Sequence, residues 1–406
     1  MISDTPDIGS RWPVRAAMIL LVAAISYNLP LSIINAHIVG IGRQTLIVVE
    51  AALMGAGLLL VLSQWRIEMT RWLMMIGMFF ALSLVLSQLR LGFDPKSFRD
   101  MLMFAVFVMI GMVVPWRDAR RVFVALHIAI LVVMIIEIAF PAQYGALVDP
   151  RAYFISSRGF TAEQLSGDSQ LFGATRPDER YLLPWLGWAR ASSLFLEPLS
   201  LGNYVSFAAL AMLLFWRDWP ARMRWFMGLS LAIILVGCDG RFAAASAIVI
   251  LLAAPLLRRL PASLSIFYLP MAIVMARIAS MTLQWNPLDD DFPGRIARGM
   301  KQLFRLDWYD LFGFSVPTPA LADSGIAYLV MSQSLVGVVM LQLYLYLQPA
   351  LQRPEQLLYL HATALTFALS ILVSISMLSI KTAAFYWFMM GVVIVMTPRE
   401  NARRPD

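Results

Sequence analysis

Three stretches concentrate polar chemistry in an otherwise apolar chain. The first is Arg190-Ala-Ser-Ser-Leu-Phe-Leu-Glu197-Pro198-Leu-Ser-Leu-Gly202-Asn203-Tyr204. Pro198 suits a first helical position, where its missing N–H would be unpaired anyway. Glu197 then sits at the positive end of that helix dipole, which by itself can account for a carboxylate there. The functional alternative makes Arg190 an anion ligand and Glu197 either its partner or a general base. The second stretch is Gly237-Cys238-Asp239-Gly240-Arg241 followed by the apolar Phe242-Ala-Ala-Ala-Ser246. A guanidinium at the mouth of an apolar helix is costly unless paired or wet, so Arg241 is either a structural partner of Asp239, a snorkelling side chain, or a binding group. The third runs from Gly294-Arg295-Ile-Ala-Arg298 through Gly313-Phe314 to Asp323-Ser324-Gly325. Arg295 and Arg298 are three apart, so on a short helix they share a face and form a fork for a diphosphate. Asp323 and Ser324 read as helix caps or, for Asp323, as a second candidate base.

Arg277 interrupts a further apolar run and is a candidate on the same ground as Arg241. Asp289-Asp290-Asp291 lacks the alternate spacing of a calcium loop and reads as exposed turn. With three histidines and one cysteine, Cys238, neither a His/Cys metal cluster nor an internal disulfide is expected, and no cofactor is indicated.

The elements that position these groups follow from composition. Of 406 residues, 60% are hydrophobic and only 14% charged, too little charge to cover a soluble particle of this size. Mean hydropathy is +0.73. Lipid must therefore be the solvent for most of the surface, which predicts an all-α, polytopic fold. A first apolar run from Val14 long enough to span, with no small-residue cleavage site, argues against a removable signal peptide. Spans are predicted at 14–34, 45–62, 72–89, 101–115, 122–140, 198–216, 225–237, 242–257, 263–283, 324–348, 357–378 and 383–397, about a dozen in one membrane domain covering 1–406.

An even count puts both termini on one side. That side collects short connections dense in arginine, such as Arg66/Arg71, Arg117/Arg120/Arg121, Arg217/Arg222/Arg224 and Arg258/Arg259, and is thus predicted to be cytoplasmic. Tryptophans Trp65, Trp72, Trp116, Trp216, Trp219 and Trp225 mark the same edge. The two long polar segments, 141–197 and 284–323, then fall outside and read as functional loops without obvious secondary structure. They and the shorter outer turns carry many cations where insertion does not favour them, among them Arg151, Arg158, Arg43, Arg90, Lys96, Arg99 and Lys381. Long loops cross regardless of charge, which accounts for part of this excess, but less well for arginines at helix ends. The net charge of +7 needs no nucleic-acid partner.

Taken in order, Arg190…Glu197-Pro198, the arginine after a small-residue turn, Gly294-Arg295, Gly313-Phe314 and Asp323-Ser324-Gly325 ahead of a long apolar helix resemble the O-antigen polymerase and ligase superfamily, most closely Wzy-type polymerases of exopolysaccharide systems. The likeness covers roughly 185–350 by motif and the rest by topology. It implies a membrane-embedded, inverting, metal-independent glycosyltransferase of the bacterial inner membrane. The implied partner is undecaprenyl-pyrophosphate-linked oligosaccharide, and a flippase and chain-length regulator would act in the same pathway. By the same resemblance Arg190, Arg241, Arg295 and Arg298 hold the pyrophosphate, and Glu197 or Asp323 deprotonates the acceptor. Arg176 and Gly187 match an outer-loop Arg-x10-Gly spacing of polymerases, a pattern that arises easily by chance. Ligases typically carry a histidine in the second outer loop; none lies in 284–323, which favours a polymerase over an O-antigen ligase, with His37 as a distant substitute. A transporter or flippase is the main alternative from another class, although no inverted repeat is evident; a non-catalytic assembly partner leaves the arginines unexplained.

Overall fold

The computed structural model describes residues 11–161, 169–174, 182–183, 185, 188–289, 291–316, 324–348 and 350–396. Among them the regular structure is entirely helical. The order is α1 Trp12–Ser26, α2 Asn28–His37, α3 Arg43–Ser63, α4 Thr70–Leu89, α5 Pro95–Met112, α6 Trp116–Ala139, α7 Pro141–Val148, α8 Pro150–Arg158 and α9 Pro198–Phe215. Then follow α10 Ala221–Cys238, α11 Arg241–Leu257, α12 Tyr268–Thr282, α13 Phe292–Leu303, α14 Trp308–Leu311, α15 Gly325–Tyr346, α16 Pro354–Ile371 and α17 Ile380–Val395.

Each of the twelve predicted spans falls on a helix, but their credentials differ. Seven helical segments are long and apolar enough to cross a membrane, and α1 with α2, bent by 54°, adds an eighth if the pair is one span. α11 and α17 are apolar but shorter. α5 opens with Lys96, Arg99 and Asp100. The chain is an all-helical, multi-pass membrane protein.

α5 and α17 form its centre, buried along almost their whole lengths. They touch backbone to backbone: a Cβ added at Gly111 would lie 1.9 Å from the Phe388 carbonyl oxygen, and one at Gly391 would lie 1.8 Å from that of Val108. Such close approach of small residues is the packing expected where lipid supplies no hydrophobic drive between helices. Most of α9 is buried too, whereas α10 and α12 expose side chains such as Leu229, Met271 and Met275 outward, as helices facing acyl chains must.

The arginine-rich connections meet at one end. Arg66 donates to the Met112 carbonyl, Trp116 Nε1 to Asp218 (2.7 Å), and Arg353 to the Met396 carbonyl. At the other end lie the two long connections, and both contain helices: those of the first fall where the sequence reading leaves loop, and the second includes the short helix on which that reading sets Arg295 and Arg298. α7 and α8 each begin with proline, and Asp149 accepts from the Ala152 N–H to cap α8. The second connection contains α13, capped by Asp291, and the short α14.

Two helices are broken. In α1–α2, Pro30 has no N–H to bond the Ser26 carbonyl, and the chain bends between Ser26 and Asn28. In α15, Ser334 takes φ 61°, and the Met331 and Ser332 carbonyls accept from the guanidinium of Arg90.

Candidate functional site

The chain from Arg190 to Glu197 crosses the end of the bundle without long helix, and a carboxylate from below holds it in place. Glu137, in the last turn of α6 and 2% exposed, accepts from the Ser192 N–H (2.9 and 3.0 Å), the Ser192 hydroxyl (2.8 Å) and the Ser193 N–H (2.6 Å). A short helical turn, Ser193–Phe195, follows; Leu196 then adopts φ 59°, reversing the chain into Glu197 and Pro198. Pro198 occupies the first helical position of α9, as the sequence reading expects.

Glu197 does not meet Arg190. Its partner is Lys381 in the first turn of α17: Lys381 Nζ lies 2.7 Å from Glu197 Oε2 and 3.1 Å from the Phe195 carbonyl oxygen. The Ser200 hydroxyl donates to the same carboxylate at 2.8 Å. Burial alone would push the Glu197 carboxyl up, but the Lys381 ammonium, with Arg158 behind it, outweighs that and holds it at about 2. A carboxylate so held is a weak proton acceptor near neutral pH, so Glu197 is an electrostatic partner in this state rather than a poised base. Lys381 is 1% exposed and touches the ring of Phe154, with Nζ 5.5 Å from its centroid. The Arg158 guanidinium lies against the same ring at 4.7 Å.

Arg190 turns instead toward the α10–α11 turn. Its Nε donates to the Cys238 carbonyl (3.3 Å) and lies 4.0 Å from Asp239 Oδ2, while the Ala191 N–H donates to the Gly237 carbonyl (2.8 Å). Asp239 takes φ 49° as α10 ends, and Arg241 opens α11 from an exposed position, so the small-residue turn forms where the sequence places it. Arg190, Gly237 and Asp239 line a small open cleft with Trp188 and Leu183. Turn and helix start are pressed together: a Cβ at Gly240 would stand 3.4 Å from the Gly202 Cα in the second turn of α9. The Arg190–Asp239 cluster and the Glu197–Lys381 pair thus flank one helix start.

The third cluster adjoins through α13. Phe242 of α11 packs on Phe292 of α13 at 5.6 Å between ring centroids. A Cβ at Gly299 would meet the Leu372 carbonyl oxygen at 2.4 Å, which presses α13 against the end of α16. Arg295 is half-buried on this helix. Arg298 donates from Nε to the Pro287 carbonyl (3.0 Å) and from Nη2 to that of Asp289 (3.4 Å), stapling the preceding loop. Arg277 lies over the Phe304 ring at 4.6 Å, a cation–π contact at the end of α13. Asp323, Arg176, Gly187 and Asp290 lie outside the described residues. His37 bonds the Leu147 carbonyl at 2.8 Å. Among the described residues no group of three or more His, Cys, Asp or Glu side chains is placed to hold a metal ion.

Sequence reasoning counts Lys381, Arg158, Arg99 and Lys96 as outer cations without bringing them together, and it passes over Glu50 and Glu137. Glu50, in α3, accepts from the Tyr27 hydroxyl (2.7 Å) and pairs with Arg99; Arg99 also pairs with Asp100, which accepts from Tyr328 (2.9 Å) and lies 3.4 Å from Lys96. This balanced network joins the bent α1–α2 pair, α3, α5 and α15. The available signal was an ionisable residue inside an apolar run: Glu50 after Leu-Ile-Val-Val, Glu137 after Met-Ile-Ile, Lys381 before Thr-Ala-Ala.

No protein-family model, curated protein or solved structure matches the chain.

Proposed function

We propose that the protein is a polysaccharide polymerase that joins undecaprenyl-pyrophosphate-linked repeat units at the periplasmic face of a bacterial inner membrane. In this reading it has twelve spans, cytoplasmic termini and outward-facing long loops, and it is an inverting, metal-independent glycosyltransferase. The observation that carries it is the packing of Gly202 against Gly240, which sets Arg190, Asp239 and Arg241 beside the Glu197–Lys381 pair. Glycosyl transfer breaks the bond from the sugar to a diphosphate that already carries two negative charges and adds a third to the departing oxygen, and fixed cations lower the barrier as that charge develops. Arg190 and Arg241 would serve the leaving diphosphate, with Arg295 and Arg298 on the adjacent helix and Arg277 at its far end. Because Lys381 holds Glu197 ionised and occupied, the acceptor proton goes to Asp323 or to Glu197 once its ammonium partner is drawn away. A flippase and a chain-length regulator of the same pathway are the expected partners in the bilayer.

The two broken helices favour a second reading, a transporter or flippase, since discontinuous spans build many transport sites. At the α15 break, however, a protein group takes the place a ligand would fill: Arg90 occupies the carbonyls freed at Ser334. Complementation of a polymerase-null strain decides between the readings. A polymerase restores long chains, and Arg190→Ala, Arg241→Ala and Arg295→Ala cells accumulate single repeat units on the outer face. Long chains at normal levels in all three variants would refute the diphosphate assignment, and repeat units trapped on the inner face would favour the flippase.

A further inference from the structure

We propose that Arg158 and Lys381 form a second anion site against the ring of Phe154, one that takes a phosphate or diphosphate group and holds Glu197 as the counter-ion which that ligand displaces. The inference deepens the polymerase reading, on which the lipid-linked identity of the ligand rests. The anion site itself rests on a charge count.

Two cations, Arg158 and Lys381, contact one buried ring, and among the described residues a single carboxylate, Glu197, lies within ion-pair distance of either. The other nearby acids are engaged elsewhere. Glu50 is held by Tyr27 and Arg99, and Glu137 by the Ser192 and Ser193 donors. Tyr27 and Tyr153 bring hydroxyls, not charge. Over the three charged groups gathered at this ring, Arg158, Lys381 and Glu197, the sum is therefore one positive charge, and Arg158, exposed at the end of α8, carries it outward. Lys381 has three N–H donors; Glu197 and the Phe195 carbonyl use two, leaving one to offer. A buried ammonium needs a counter-ion at all times, because removing it leaves an uncompensated charge. Glu197 fills that role in this structure. A phosphate bears more charge than a carboxylate, can bridge both cations, and would release Glu197 at the moment the donor is bound.

Inorganic pyrophosphate titrated into the detergent-purified full chain tests this by calorimetry, with Arg190→Ala, Arg241→Ala and Arg295→Ala as the common background for every comparison so that the first diphosphate site does not contribute. Glu197→Gln removes the competing counter-ion and should tighten pyrophosphate binding roughly tenfold, whereas Arg158→Gln should weaken it by about tenfold or more. Because Lys381→Met alone strands a buried carboxylate, the double variant Lys381→Met/Glu197→Gln is the informative one, and it should bind as weakly as Arg158→Gln. Weaker or unchanged binding in Glu197→Gln, or undiminished binding in Arg158→Gln, overturns the proposal. Displacement of pyrophosphate by undecaprenyl diphosphate but not by phosphatidylglycerol supports a lipid-linked sugar donor; displacement by both overturns that source. The predicted ranking, together with an unsubstituted chain that fails to restore polymer in the null strain, refutes the polymerase reading and leaves the anion site standing.

Discussion

Replacing Glu137 by glutamine should release the segment that carries both Arg190 and Glu197. Three donors converge on the two carboxylate oxygens: the Ser192 and Ser193 N–H groups and the Ser192 hydroxyl, at 2.6 to 3.0 Å. Glutamine can set its oxygen at the Oε2 position, which both N–H groups reach, and turn its NH2 to the Ser192 hydroxyl as acceptor, so what the segment loses is the charge on the acceptor. Bonds to a charged acceptor contribute about 1.5–3 kcal/mol each, against about 0.5–1.5 for neutral ones. Over the two N–H groups the segment should therefore lose about 2–3 kcal/mol of anchoring, about two decades in the population held in place. Ser192→Ala deletes only the hydroxyl and should cost about 1 kcal/mol. Measured together, limited proteolysis between 188 and 197 and polymer length in complemented cells should rank wild type, Ser192→Ala and Glu137→Gln in that order. A Glu137→Gln protein that makes full-length polymer and resists proteolysis like wild type would show that the segment is held by something else.

Further outcomes follow from the same geometry. Glu197 is depressed below its ordinary value of about 4.3, so its pairing contributes stability that is present above that value and is lost only as pH falls toward about 2. Polymerisation should thus show no acid limb from Glu197 between about pH 5 and 8, and Lys381→Met, leaving burial opposed by Arg158 alone, should shift Glu197 upward and bring such a limb into that range; an unchanged profile would sink the pairing argument. Asp239→Asn keeps a residue that tolerates the left-handed backbone while removing the charge beside Arg190, so it should accumulate stably yet polymerise at least roughly tenfold more slowly. Gly391→Val has no room beside the Val108 carbonyl and should abolish membrane accumulation, with Gly391→Ala lowering the melting point of purified protein; normal melting in the alanine variant would contradict the close crossing of α5 and α17.

Helix positions were legible in the sequence because apolar runs near bilayer length leave few alternatives. Arginine and tryptophan placement also marked which connections gather at one end, as the contacts of Arg66, Trp116 and Arg353 bear out. The small-residue turn at Asp239 and Pro198 at the head of α9 were legible for local reasons, a break in hydropathy and a missing donor. The helices α7 and α8 are announced locally by their prolines and by Asp149, but the polarity of the segment around them masks that signal. The partner of Glu197 was not legible at all: 184 residues separate it from Lys381, and nothing local specifies that α17 starts beside α9.

The acids within the apolar runs point to a common physical demand. Glu50, Glu137 and Asp100 lie near the ends of α3, α6 and α5 that face the long connections, and each holds a group of another segment: Glu50 the Arg99 guanidinium, Glu137 the Ser192 and Ser193 donors, Asp100 the Tyr328 hydroxyl. Each costs free energy to bury and would not persist as mere packing. Their common effect is to fix the approach of non-helical or bent backbone: Tyr27 at the α1–α2 bend, Ser192 and Ser193 ahead of α9, Tyr328 at the head of α15. On the proposed function, a face that is to bind a flexible lipid-linked glycan gains most from groups that do not reorganise when charge develops, because reorganisation would consume the stabilisation that the cations offer. Loops alone do not supply that rigidity at a membrane surface. Carboxylates planted in the helices below them do, which is why the residues that matter most for the arginines at this face lie one to two turns beneath it.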